Sequence, residues 1–216
     1  MSLVLINPFQ VSPIVADFID LYTTNTGWTK VGTLVDVDLL DDNQCEAVLA
    51  LNSADNRVHK DTAIAWSDTL WYYNVDFKRI DSNGDINFPV TLSSATGDPE
   101  DANQDEIGLY SGGAADLKCF YKDSAGAYTI SAGAITITIG TQYYLRIERT
   151  SATQIKLSVF TDSARTTHQT GSPITQTIPS TVTTLQYLMH GTVSNTGTQG
   201  SSWTIDNTYI FNNRSP

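Results

Sequence analysis

Cysteine is nearly absent from this chain: Cys45 and Cys119 are the only two in 216 residues. So few thiols exclude a scaffold held by several disulfides. Both lie in stretches of alternating apolar residues, which reads as two buried free thiols, with a bridge between them left open. Charge is scarce as well. Only 16% of residues are charged, and Lys, Glu, Ala and Leu at helical spacing are missing, which excludes a mainly helical protein. Basic side chains are the scarcest charge, 12 against 23 acidic, for a formal net charge of −11. That field opposes a phosphate backbone and excludes nucleic acid as a partner. No apolar run approaches the ~20 residues of a membrane helix, so no membrane insertion is expected. The opening stretch MSLVLINPFQVSPIV has no basic n-region and is interrupted at Asn7 and Pro8, so it does not read as a secretory signal. Fixed-period repeats, coiled-coil heptads and a Pro- or Gly-rich linker are also lacking. A soluble single domain is the expectation.

What is present is alternation. In Leu70–Ile80, Trp71, Tyr73, Val75 and Phe77 share one side, and Tyr72, Asn74, Asp76 and Lys78 share the other. Gln142–Arg149 sets Tyr143, Leu145 and Ile147 against Tyr144, Arg146 and Glu148. Gln154–Phe160 follows after the short loop TSAT, which predicts a hairpin. Further strands are expected over Leu117–Lys122, Ala134–Ile139, Leu185–His190 and Trp203–Phe211. Asp41–Leu51 reads as a strand from Cys45 or as a helix capped by the Asp pair. Turn signals every 8–12 residues and abundant Thr, Ser, Asn and Gly predict an all-β, two-sheet antiparallel sandwich. The expected layout is an N-terminal extension over 1–14, one sandwich over 15–212 and a tail over 213–216. A chain of this length buries roughly 70% of its unfolded surface, enough for a core without staples.

The order of elements resembles the concanavalin A-like (LamG-type) jelly roll. The segments ADFID…TGWTKVG, TQYYLRIERTSATQIKLSVFTDSARTTH and WTIDNTYIFN carry the likeness, from about Val15 to Asn212. It implies that an early strand lies near the last one, whose ending Ile205, Asp206, Tyr209, Ile210 and Phe211 supply. It also implies lectins, laminarinase-like hydrolases, alginate lyases and virion modules as functional relatives. A fold so widely shared leaves activity to be decided by the site.

The chemistry such relatives need is missing. Laminarinase-type catalysis requires Glu-x-Asp-x-x-Glu on one strand, two carboxylates about 5 Å apart. Here Asp105 and Glu106 are adjacent and point to opposite faces, while Glu148 and Asp206 are single. Asp36 and Asp38 share a face but read as the wet side of a strand. The lyase-like Gln-x-His pattern fails, because Leu188 stands two residues before His190. His59, His168 and His190 are scattered, no Gly-x-Ser-x-Gly elbow occurs, and SGGAAD lacks a phosphate-loop ending. The protein is expected not to be an enzyme.

Two surfaces remain. GDPEDANQDEIGLY places Asp98, Glu100, Asp101, Asp105 and Glu106 within nine positions. Asp98, Glu100, Asp101 and Asp105, with Asn103, could wrap a calcium ion; a hydrated acidic loop is the other reading. DSNGDIN reads as an Asn-Gly hairpin turn rather than a calcium loop. The resemblance adds Asp20 with Asp206 as a second calcium pair. For ligands, Tyr72, Asn74, Tyr144 and Arg146 face one way, and Trp203, after GTQGSS, is expected at a loop mouth. Such a mixture suits a shallow saccharide groove or an ordinary wet sheet face. Two roles follow. One is a non-catalytic module binding a glycan or cell-surface polysaccharide, fitting a virion surface. The other is a structural particle subunit whose partners are other subunits.

Overall fold

The alternation read from the sequence becomes two stacked sheets. In the computed structural model, residues 15–32, 35–37, 44–47, 56–81, 87–97, 103–112, 115–124, 126–192 and 202–216 are described. Among them the strands are β1 (Phe18–Asp20), β2 (Thr29–Val31), β3 (Val35–Val37), β4 (Cys45–Ala47), β5 (Asn56–Asp61), β6 (Trp71–Arg79), β7 (Asn87–Ser93) and β8 (Glu106–Gly112). The chain continues through β9 (Asp116–Lys122), β10 (Thr129–Ile130), β11 (Ile135–Thr136), β12 (Gln142–Ser151), β13 (Gln154–Phe160), β14 (Ile174–Thr177), β15 (Tyr187–Thr192) and β16 (Trp203–Asn212).

Sheet A runs β14-β13-β12-β6-β16-β4-β3, with β1 also on β16. Sheet B runs β10-β9-β8-β7-β15-β5-β2, with β11 also on β9. Every pairing is antiparallel, and β5, β6 and β7 pass from one sheet to the other and back. This is the all-β sandwich the sequence predicted. The early strand also meets the last one as the resemblance implied, with Phe18 opposite Ile210.

The core lies between the sheets. Trp71, Tyr73, Val75 and Phe77 of β6 meet Val90 and Leu92 of β7 and Ile107 and Leu109 of β8. Each such side chain contributes roughly 1.5–3 kcal/mol by leaving water. Cys45 and Cys119 are both buried and form no disulfide, as alternation suggested, and burial pushes the Cys119 thiol up to about 11. Gly108 permits the closest approach of β7 to β8, since a Cβ there would meet Val90 O at 2.1 Å.

Three expectations change. The strand expected over Ala134–Ile139 shortens to β11: Ile137 N–H still bonds Ala115 O in register, but Thr138 N–H turns to the Tyr143 hydroxyl. Trp203 is not at a loop mouth. It is 1% exposed, turned into the core beside His190, because it shares the inward phase of Ile205. The ambiguous segment after Asp41 is a strand over Cys45–Ala47, and its flanks fall outside the described residues.

Candidate functional site

The outer face of sheet A is ordered by cross-strand register. Asn74 on β6 lies opposite Arg146 on β12, which lies opposite Ser158 on β13. On the other side Asn74 pairs with Tyr209 of β16, and Tyr209 pairs with Ile19 of β1. Ile19, Tyr209, Asn74, Arg146 and Ser158 therefore form one row across five strands, roughly 19 Å at the usual strand spacing. Parallel rows flank it. One carries Phe211, Tyr72, Glu148 and Lys156; the other carries Asp206, Asp76, Tyr144 and Phe160.

Sequence alternation does not place Tyr209 on this face, because Trp203 and Ile205 point inward and a regular strand would carry Tyr209 with them. A β-bulge between Asp206 and Tyr209 shifts the phase. Asn207 sits there at φ 49°, a left-handed conformation that asparagine tolerates. Past the bulge Thr208 and Ile210 turn inward and Tyr209 and Phe211 outward. The Asn207 amide then donates to Asp76 Oδ2 at 3.1 Å. The Asn-Thr-Tyr run was the signal available in the sequence.

Charges in the flanking rows are paired. Arg165 Nη2 meets Asp76 Oδ1 at 2.7 Å, and Lys156 Nζ meets Glu148 Oε2 at 2.8 Å. Burial raises the Asp76 carboxyl above its ordinary range, against the pull of Arg165 and Asn207. Tyr72 stacks on Phe211, centroids 4.4 Å apart, and is 5% exposed, so its ring supports the face and does not present itself to a ligand. Arg146 lies over Tyr72 at 5.4 Å and over Phe160 at 5.6 Å, and its Nε donates to Asn74 Oδ1 at 2.9 Å. Burial lowers its pKa, opposed by the Glu148 charge. The structure thus gathers Tyr72, Asn74, Tyr144 and Arg146 and leaves Trp203 out.

Three polar groups in this patch have open valences. Among the described residues, no acceptor meets Arg146 Nη1 or Nη2, and neither Asn74 Nδ2 nor the Tyr144 hydroxyl has a hydrogen-bond partner.

The acidic loop is different. Asp98, Glu100 and Asp101 lie outside the described residues, and Asn103 begins the next described stretch. Asp105 is 6% exposed; its Oδ1 accepts Ser124 N–H at 2.9 Å and its Oδ2 accepts Thr183 N–H at 2.8 Å. Both oxygens are held by backbone, so Asp105 does not fit a calcium ligand. Nor do Asp20 and Asp206 meet. Asp20 stands opposite Thr208 and is neutralised by Lys60 at 2.7 Å, whereas Asp206 stands opposite Asp76. Among the described residues, no three His, Cys, Asp or Glu side chains gather as a metal site.

Sequence reasoning also missed a buried polar strip on the outer face of sheet B. Thr91, Ser93, Glu106 and Lys122 are each at most 2% exposed there, beside Phe88 and Phe120. Gln104 donates to Glu106 and clasps both backbone groups of Gly97, closing the base of the acidic loop. Alternation shows that these residues leave the core. It carries no information about what covers them.

His190 belongs to a third polar cluster, sealed inside. Its Nδ1 lies 2.7 Å from Pro89 O and must donate, so Nε2 accepts from the Tyr22 hydroxyl at 2.8 Å. Thr208 Oγ1 bonds Tyr22 at 2.5 Å and Tyr73 at 3.2 Å. Burial pushes His190 down to about 4, and its lack of solvent access leaves it no substrate to act on.

This sandwich has known counterparts. The Ca2+-bound exoplasmic/lumenal domain of VIP36 aligns with TM-score 0.64 at 9% identity, covering 93% of this chain and 92% of that one. Bacillus licheniformis β-glucanase aligns with TM-score 0.59 at 15% identity, over 94% and 100%. The binding domain of botulinum neurotoxin serotype D aligns with TM-score 0.58 at 11% identity. The fold is concanavalin A-like. This chain, covered over 93% of its length, spans 48% of the toxin chain. No family model and no curated protein sequence matches it. A glucanase and a toxin binding domain thus share this architecture, and identities this low convey the fold alone.

Proposed function

We propose that the protein is a non-catalytic glycan-recognition module that binds through the outer face of sheet A. One observation carries the reading: Arg146 and Asn74, in the row that also holds Tyr209 and the 48%-exposed Ile19, and Tyr144 in the row beside it, leave hydrogen-bonding groups open among the described residues. Saccharides need this combination, polar groups for their hydroxyls and apolar surface for their C–H faces. VIP36, solved with Man3GlcNAc bound, is a neighbour by fold, and that supports the class of ligand. Absence of catalysis is supported by two of the carboxylates of this face. Asp76 is tied to Arg165 and Asn207, and Glu148 to Lys156, so neither is poised as the acid or nucleophile of a glycosidase.

Calcium is supported by the likeness to the Ca2+-bound VIP36 domain. With Asp105 held by backbone, its oxygens would come from Asp98, Glu100 and Asp101. A glycan array probed in calcium and in EDTA tests the proposal. Specific binding that persists in EDTA and is lost in Asn74→Ala with Tyr144→Ala is expected. Binding to no glycan, or release of reducing ends from a bound polysaccharide, contradicts it.

A particle-subunit role has one observation in its favour. Val15, Ile19 and Leu21, at and beside β1, are 64%, 48% and 42% exposed, an apolar strip suited to another subunit. Concentration-dependent association in light scattering would support that role, and a monomer at all concentrations would count against it.

A further inference from the structure

Arg146 differs from the arginines around it. Arg79, Arg149, Arg165 and Arg214 each place terminal nitrogens on acceptors: Arg79 on Ser111 Oγ at 2.9 Å, Arg149 on Val182 O at 2.7 Å and Ala152 O at 2.9 Å, Arg165 on Asp76 at 2.7 Å and Arg214 on Asp17 at 3.0 Å. Arg146 is fixed just as firmly, by Nε on Asn74 and by two aromatic rings, yet its Nη edge meets no acceptor among the described residues. A guanidinium held half-buried in a set plane, with its fork open, is organised for a planar bidentate partner.

The charge of that partner follows from the neighbours. Asp76 and Glu148, in the rows on either side, are neutralised by Arg165 and Lys156. Arg146 itself is paired with no carboxylate among the described residues, and Asp206 adds a further negative charge to the flanking row, on a protein whose net charge is −11. A dianion or polyanion would meet both flanking carboxylates and the negative field of the whole chain. A single carboxylate matches one fork and one charge.

We propose that the ligand of this face is a saccharide bearing a carboxylate, with the carboxylate on the Arg146 Nη edge and neighbouring hydroxyls on Asn74 Nδ2 and the Tyr144 hydroxyl. This rests on the glycan reading above and specifies its substrate class. Sugar carboxylates come either from uronate units within a chain or from terminal sialic-acid-type units, and the two share this chemistry.

Calorimetric titration of the full chain tests it, using a tetragalacturonate, its methyl ester, a sialylated trisaccharide, a neutral mannotetraose and a heavily sulfated oligosaccharide. At least one free acid is expected to bind tenfold or more tighter than its neutral counterpart, and the one that does identifies the source. Arg146→Gln should abolish that preference, and Arg146→Lys should restore only part of it, because an ammonium has no planar fork. Should Arg146→Gln fail to fold by its melting curve, the acid-against-ester comparison on the unmodified protein decides. Equal affinity for acid and ester, or tighter binding of the sulfated sugar, overturns the carboxylate and leaves glycan recognition standing. Binding of none of the five, with an empty glycan array, overturns both.

Discussion

At the scale of single residues, the same side chain type does different work according to its partners. Arg149 and Arg165 are both satisfied and stitch loops to strands, while Arg146 is held rigid with its fork open. Asp105 shows the converse. Its position among five carboxylates suggested a cation ligand, but its partners lie 19 and 78 residues away in sequence, where no local pattern can reveal them. Asp105→Ala should strand two backbone N–H groups and lower stability by about 2–4 kcal/mol, seen as a reduced denaturant midpoint with an unchanged slope. The candidate ligand residues, Asn74 on β6 and Tyr144 and Arg146 on β12, were legible because alternation along both strands assigns faces. Tyr72 was legible as outward but not as covered. Its burial depends on Phe211, which reaches it only through the bulge in β16.

Among the elements, β16 decides most about the site. Asn207 lets the strand change phase, so that one strand supplies Trp203 and Ile205 to the core and then Tyr209 and Phe211 to the outer face. Asn207→Val places a β-branched residue in left-handed backbone and removes the amide bond to Asp76. A loss of about 2 kcal/mol is expected, together with weakened glycan binding as Tyr209 shifts; an unchanged melting temperature would refute it. Regular strands such as β6, β12 and β13 could be read to within a residue or two, since a half-buried strand writes its period of two into the sequence. The bulge and the early end of β11 could not, because each is fixed by hydrogen bonds to distant groups. Trp203 was misplaced for the same reason. The Gly- and Ser-rich residues before it suggest a loop mouth, and only the pairing of β16 with β6 turns it inward.

For the molecule as a whole, the core between the sheets contains a polar node that links stability to pH. His190, on β15, joins Tyr22, Thr208 of β16 and Tyr73 of β6, so both sheets meet at one imidazole. Its folded pKa of about 4 lies below the ordinary histidine value of about 6.5, so the unfolded chain binds the extra proton first. The contribution is complete above about pH 6.5 and is lost as pH falls through 4, roughly 3 kcal/mol in all. Denaturant titrations at pH 7 and pH 4.5 should show the drop, and His190→Gln should flatten it. Equal stability of the unmodified protein at the two values would contradict this.

The central claim is that the outer face of sheet A, and not that of sheet B, recognises a saccharide. Isotope-edited NMR of the labelled protein, titrated with the glycan that binds best on the array, tests it directly. The account predicts saturable shifts at Asn74, Tyr144, Arg146 and Tyr209, with Phe88, Tyr110 and Tyr128 undisturbed. Shifts confined to Phe88, Tyr110 and Tyr128, or none that saturate, would contradict it.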